Sequence, residues 1–174
     1  MPVTVRDARS SPLDREWIRT VYRDYLSELS ASKTGLFPAL AEWDARESEF
    51  LAGWFADSSA HPFVILNEGA PVGFALVSRP PAFPQTSVNF RMAEFFITRG
   101  ARRRGLGASA AALLFARFAG TWEVIEDDAN RTALQFWRRV IERYTAGRFA
   151  ETRGGGEVRH RFTTASHPSV RGPR

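Results

Sequence analysis

Phe95-Phe96-Ile97-Thr98-Arg99-Gly100-Ala101-Arg102-Arg103-Arg104-Gly105-Leu106-Gly107-Ala108 is the stretch on which the reading of this chain turns. An apolar strand runs into a loop of glycine and arginine, and an apolar helix, Ala108 to Phe118, follows at once. Glycines let a backbone approach a ligand closely, and loop N–H groups beside a helix N-terminus make a cradle for an anion. Flanking arginines add charge and forked donors. No Gly-Lys-Ser/Thr follows, so the loop is not a Walker loop, and Gly105-Leu106-Gly107-Ala108-Ser109-Ala110 does not fit G-x-G-x-x-G.

Outward from this centre, the pattern alternates strands and helices. Upstream, Val3 to Ala8 reads as a strand, and Ser11-Pro12 caps a helix whose apolar positions run from Leu13 to Leu29 at helical spacing. A loop over 30–37 precedes a second helix opened by Pro38, with Leu51, Trp54 and Phe55 on one side. Phe63–Leu66 and Val72–Val77 flank Asn67-Glu68-Gly69 as a hairpin, and the prolines at 80, 81 and 84 mark a loop. Downstream, Trp122–Ile125 is a short strand, and Ala133, Phe136, Trp137, Val140, Ile141 and Tyr144 trace one helix face. Arg148–Ala150 and Val158–Phe162 close the chain as a hairpin around Gly154-Gly155-Gly156. The expected fold is mixed α/β: a central, mostly antiparallel sheet of about seven strands flanked by four helices. Residues 1–164 form one domain, and 165–174 form a disordered basic tail.

Composition narrows the chemistry. The chain has 174 residues and no cysteine, which removes disulfides, thiolate metal sites and a cysteine nucleophile. Three histidines, His61, His160 and His167, are too few for a His-rich metal site, so no metal is expected. No apolar run reaches the ~20 residues of a membrane span, and Met1 to Asp7 lacks a basic-then-apolar leader; a cytoplasmic chain without membrane partners is expected. The net charge of +5 raises nucleic acid as a partner. Against it, Lys33 is the lone lysine, so arginine usage is chain-wide, and aromatic residues are not interleaved with the basic ones as stacking platforms.

Arg102, Gly105 and Gly107 resemble the Arg/Gln-x-x-Gly-x-Gly/Ala signature of the GNAT family of N-acetyltransferases. The apolar strand ends five residues before Arg102 as in that family, and Asn130-Arg131-Thr132-Ala133-Leu134-Gln135-Phe136-Trp137 resembles its later Asn-x-x-Ala-x-x-Phe/Leu-Tyr stretch. The likeness is greater still to a subgroup of predicted acetyltransferases that carries Phe-Phe-Ile, Trp-Glu-Val and Phe-Trp-Arg-Arg. The resemblance covers residues 3–163. It implies acetyl-CoA as co-substrate, its pyrophosphate on Arg102, Arg103, Arg104, Gly105, Leu106, Gly107 and Ala108. It implies a pantetheine arm along the backbone of Phe95 and Ile97, with further contacts from Asn130, Phe136 and Trp137. It implies direct transfer to a primary amine of a small molecule or peptide. A non-catalytic acyl-CoA sensor is the alternative.

The family's usual general-acid Tyr is here Trp137, which cannot protonate a thiolate; Tyr144, two turns on, is the substitute to test. Glu94, the one carboxylate inside the strand Phe90–Ile97, is the first candidate base. Strict alternation turns it away from Phe95 and Ile97 unless a bulge re-aims it. Glu123 is the second candidate, and Glu126, Asp127 and Asp128 at its strand's exit offer a base acting through water. Tyr22 and Tyr25 lie on the first helix, which in the family borders the acceptor pocket. A homodimer through the final hairpin is left open.

Overall fold

The computed structural model describes residues 2–32, 49–80 and 87–165. Their elements are β1 (Val3–Asp7), α1 (Pro12–Ser32), α2 (49–56), β2 (His61–Asn67), β3 (Ala70–Ser78), β4 (Phe90–Ile97), α3 (Leu106–Arg117), β5 (Gly120–Asp127), α4 (Arg131–Thr145), β6 (Ala150–Gly154) and β7 (Glu157–Thr164). The strands form one sheet in the order β1-β2-β3-β4-β5-β7-β6. Every neighbouring pair is antiparallel except β4 and β5. The mixed sheet and four flanking helices match the sequence expectation. The helix start expected at Pro38, the Pro81–Pro84 loop and the tail from residue 166 lie outside the described residues.

Local chemistry sets the element ends. The Ser11 hydroxyl accepts from the Asp14 N–H at 3.4 Å, and Pro12 occupies the first helical position, where its missing N–H costs nothing. Asp14 is then buried and forked by Arg6 at 2.7 and 2.8 Å, which ties α1 to β1. Asn130 caps α4 through its side-chain oxygen, which accepts from the Ala133 N–H at 3.3 Å. Helix α1 runs three residues past Leu29, because no glycine or proline interrupts it before Gly35.

The sheet has apolar residues on both faces. Phe63, Ile65, Phe90, Met92, Trp122, Val124 and Phe162 pack under α3 and α4, with Phe115 wedged between Trp122 and Phe162. Phe74, Leu76 and Phe96 pack under α1 and α2, against Ile18, Tyr22 and Leu51. Helix-covered faces of this kind make a three-layer domain.

Two irregularities in β4 position the site. First, the β3–β4 register runs Leu76↔Glu94 and then Val77↔Met92, so Ala93 is an extra residue. This bulge flips the alternation: Phe90 and Met92 share the α3–α4 face with Phe95 and Ile97, while Arg91, Glu94 and Phe96 share the α1 face. Second, β4 and β5 pair only at Phe90↔Trp122, Arg91↔Glu123 and Met92↔Val124 and then part. The five residues Ala93–Ile97 continue beside β3 alone, and β5 continues beside β7 alone. Gly73, opposite Ile97, allows β3 its close approach, because a Cβ there would lie 2.3 Å from the Phe96 carbonyl oxygen.

Arg153, Arg159 and Arg161 belong to the β6–β7 hairpin, and their charges meet Glu151, Glu123 and Glu157. Glu123 faces Arg161 across β5 and β7, whereas Arg153–Glu151 and Arg159–Glu157 pair along a single strand. Among the described residues no helix is long and apolar enough to cross a membrane.

Candidate active site

The parting of β4 and β5 opens a cavity of about 830 Å³ through the sheet. Tyr25, Glu28 and Leu29 of α1 line it from one face; Ala133, Phe136, Trp137 and Val140 of α4 line it from the other. The strand edges between them are Met92–Ile97 and Val124–Glu126, less Glu94. Thr98 donates its N–H to Val72 on β3 at 2.9 Å. Backbone groups alternate along a strand, so those of Phe95 and Ile97 point the other way, into the gap. Aromatic rings form one wall: Phe95 stacks on Phe136 at 5.8 Å, and Trp137 stands edge-on to both.

At one end of this slot lies the glycine–arginine loop. Arg103 (φ 62°) and Gly105 (φ 76°) both take left-handed backbone, and such alternation turns successive N–H groups inward as an anion nest. Gly105 caps α3 without a side-chain oxygen, so the N–H groups of the first turn are left for a ligand. Gly107 lets α3 come close: a Cβ there would lie 3.3 Å from the Phe136 ring and 3.4 Å from Ile97. Among the described residues, the Arg103 and Arg104 side chains meet no carboxylate, and Arg103 borders the cavity.

Arg102, the first residue of the motif, has another task. Its Nε donates to the Ile97 carbonyl at 2.7 Å, its Nη2 donates to Glu28 at 2.6 Å, and its guanidinium lies over Phe96. It braces the end of β4 against α1. Glu28 also receives Arg99 at 3.0 Å. Sequence reasoning missed Glu28; its position one helical turn after Tyr25 on α1 was the available signal.

The candidate acid–base residues separate clearly. Glu94 is largely buried on the α1 face, where the Tyr25 hydroxyl donates to its Oε2. Loss of hydration, helped by the negative charge of Glu126, pushes its carboxyl up to about 8. Neither Glu94 nor Glu123 lines the cavity wall itself, and Glu123 is fully buried. Burial alone would raise its pKa; hydrogen bonds from Arg91 (2.8 Å) and Arg161 (2.9 Å) and the charge of Arg159 outweigh that and hold it below the usual range. A carboxylate so occupied has no lone pair spare for an acceptor's proton, and the geometry gives Glu123 a structural position.

Tyr144 packs edge-on to Phe115 at 5.4 Å within the α3–α4 layer, and burial raises its phenol. It is absent from the cavity wall. Tyr22 is buried among Tyr25, Phe50 and Phe74 and is also absent from it. Tyr25 alone of the chain's three tyrosines borders the cavity. Asn130 borders it too, yet its amide is committed at both ends: the oxygen caps α4 and the nitrogen donates to Glu126 at 3.2 Å. Among the described residues no group of three or more His, Asp or Glu side chains is placed to hold a metal ion.

The chain is similar to known proteins in sequence pattern and in fold. Residues 18–141 match the model of the Acetyltransferase (GNAT) family. Among solved structures, an acetyltransferase from Thermus thermophilus is similar with a TM-score of 0.68 and 17% identity, covering 94% of this chain and 98% of that one. The N-acetyltransferase PseH of Campylobacter jejuni in complex with acetyl coenzyme A gives 0.57 and 12%, over 94% and 100%. The PaiA N-acetyltransferase of Thermoplasma acidophilum in complex with coenzyme A gives 0.57 and 8%, over 94% and 100%. No protein with a curated description matches. The family model spans well over half of the chain and includes the parted strands, the glycine–arginine loop and most of α4: this protein belongs to the acetyltransferase (GNAT) family.

Proposed function

We propose that the chain is an N-acetyltransferase that moves the acetyl group of acetyl-CoA directly onto a primary amine. The observation that carries this reading is the through-going slot between β4 and β5, with an uncapped helix N-terminus at one end and the Glu94–Tyr25 pair on the α1 face. The residues present fit the co-substrate. The N–H groups of Arg103 to Ala108 and the Arg103 guanidinium would hold its pyrophosphate, and the inward-facing backbone of Phe95 and Ile97 would pair with its pantetheine arm. Arg102 supports this by fixing the Ile97 carbonyl, which leaves the Ile97 N–H as the donor toward the thioester oxygen.

In the reaction the amine nitrogen attacks the thioester carbon; a C–N bond forms and the C–S bond breaks. One proton leaves for solvent as the ammonium becomes the free amine. The second passes from the nitrogen to Glu94, and the sulfur takes one from Tyr25, which recovers it from Glu94 across their hydrogen bond. Tyr25 thereby supplies the phenol that Trp137 lacks.

Thermal unfolding with and without acetyl-CoA tests the donor site. At about 100 times Kd the ligand adds roughly 2.7 kcal/mol, or about 5–10 °C for a domain of this size. Gly105→Asp sharpens the test. A Cβ at this position meets nothing within 4 Å, but the backbone is left-handed (φ 76°), so any side chain strains it. The unliganded variant is therefore expected to melt a few degrees below the wild type, about 1–2 kcal/mol, so each ligand shift is read against the same protein without ligand; its carboxylate repels the pyrophosphate and weakens acetyl-CoA binding roughly tenfold, about 1.4 kcal/mol. Gly105→Asn, which tolerates the same backbone without the charge, should bind nearly as the wild type. Equal shifts in all three proteins refute the assignment. A sensor without turnover would pass this test, and amine-dependent release of CoA thiol separates it from an enzyme.

A further inference from the structure

The acceptor is still to be assigned, and the sheet carries a feature beside the site that the donor chemistry does not use. Glu123 is the last-but-one residue of β5 to pair with β4 before the strands part, and its partner in register is Arg91. Arg91 and Glu94 lie opposite Ser78 and Leu76 on β3, two residues apart, so both project from the α1 face. At ~3.3 Å per residue they are no more than ~10 Å apart along β4. On β7, Val158, His160, Phe162 and Thr164 are buried, whereas Arg159 and Arg161 alternate to the opposite face and join Arg91 around Glu123.

Three guanidinium groups exceed what this carboxylate needs. Each carries five N–H donors, and one fork already satisfies most of a carboxylate. Among the described residues the three find only Glu123 and, at the rim, Glu157, which Arg159 meets at 3.3 Å. The side chains of Arg91, Arg159 and Arg161 stay 37%, 33% and 40% exposed, so their unused donors face outward. Glu123 is fully buried beneath them: it orients the arginines and cannot itself meet a ligand. The result is a positive, forked-donor platform at the closed end of the split, on the same face as Glu94 and Tyr25.

We propose, resting on the transferase reading, that the acceptor is a primary amine that also bears an anionic group, carboxylate or phosphate. The anion docks on Arg91, Arg159 and Arg161 while the amine lies at Glu94. The spacing along β4 suits an amine and an anion a few bonds apart, with the arginine side chains reaching toward the ligand.

The test is a rate panel with acetyl-CoA, following CoA thiol. 4-Aminobutyrate and O-phosphoethanolamine are the carboxylate and phosphate arms; butylamine, ethanolamine and putrescine are the neutral-tailed and dicationic controls. The expected result is a kcat/KM at least tenfold higher for one or both anionic amines, and the better arm names the anion. Arg161→Gln, which leaves Arg91 and Arg159 to neutralise Glu123, should remove tenfold or more of that preference by raising KM for the anionic amines, with the acetyl-CoA thermal shift unchanged. Arg91→Lys is the second variant should Arg161→Gln fail to fold; it keeps the charge but loses the fork and should cut the preference in the same direction. Controls that react as well as the anionic amines, no turnover of any anionic amine, or equal losses for all amines in the variants would overturn the proposal. Loss of the acetyl-CoA shift in the wild type would instead overturn the transferase reading beneath it.

Discussion

Glu94→Gln is expected to lower kcat by about 10²- to 10⁴-fold, the usual contribution of a positioned general base, while raising thermal stability at alkaline pH. Both follow from one carboxyl with a pKa raised to about 8 by loss of hydration and by Glu126. As a base it must be ionised, and at pH 7 roughly one molecule in ten is. In the wild type kcat should therefore climb about tenfold per pH unit below 8 and level off above it; the glutamine variant should lose that limb.

The stability effect has the opposite sign. The folded state keeps a proton that the unfolded chain, with an ordinary carboxyl near 4.5, has already lost. Stability conferred by the protonated form is complete below about 4.5, falls as pH rises through the window to 8, and is level thereafter. Three and a half pH units correspond to at most about 5 kcal/mol. The amide introduced by Glu94→Gln carries no such penalty, so the variant should unfold several degrees above the wild type at pH 9 and near it at pH 5. A variant with unchanged kcat and an unchanged pH profile would make Glu94 a structural residue. Tyr25→Phe should lower kcat more than it changes KM, because the phenol acts on the departing sulfur; an intact kcat would leave solvent as the proton source.

Glu123→Gln should destabilise the fold measurably. The carboxylate is fully buried and holds Arg91, Arg159 and Arg161. Its loss leaves three guanidinium groups facing one another, but each is a third or more exposed and stays hydrated, so the cost falls below that of a fully buried pair, at about 1–3 kcal/mol, or roughly 2–12 °C at this size. Its pKa is held down in the folded state, so the sign reverses relative to Glu94. The contribution is fully present above the ordinary carboxylate range and is lost as pH falls through the lower folded value. The melting-temperature gap between wild type and variant should be constant from pH 6 to 8 and close in acid. A gap under about 1 °C at neutral pH would mean that the arginines find other partners.

These two glutamates show where sequence reading reaches its limit. Both sit in apolar strands, both flank the region where β4 and β5 part, and as letters they look alike. A place in the strand before the glycine loop ranks Glu94 first, and the structure puts it against Tyr25. The same kind of evidence ranks Glu123 second. Its three arginine partners come from β4 and β7, up to 38 residues away, and nothing local announces them. Tyr22 and Tyr25 carry equal weight as letters because both fall on the apolar stripe of α1. Only packing separates the one buried among Phe50 and Phe74 from the one that borders the cavity. Arg102 is the reverse case: its motif position is legible, but its use as a brace between Ile97 and Glu28 is not.

The order of strands and helices, the glycine–arginine loop and the amphipathic stripe of α4 were written in the chain, because hydrophobic periodicity, capping residues and backbone freedom act over a few neighbouring residues. So was the exclusion of cysteine chemistry. The tertiary structure decided the rest: that β4 and β5 part after Met92↔Val124, that Ala93 bulges and reassigns the two faces of β4, and that Glu94 is dry while Glu123 is triply paired. Those properties depend on strand register and on how much water reaches a side chain. Register and burial are set by residues far apart in the sequence, brought together only when the sheet closes and the helices cover it.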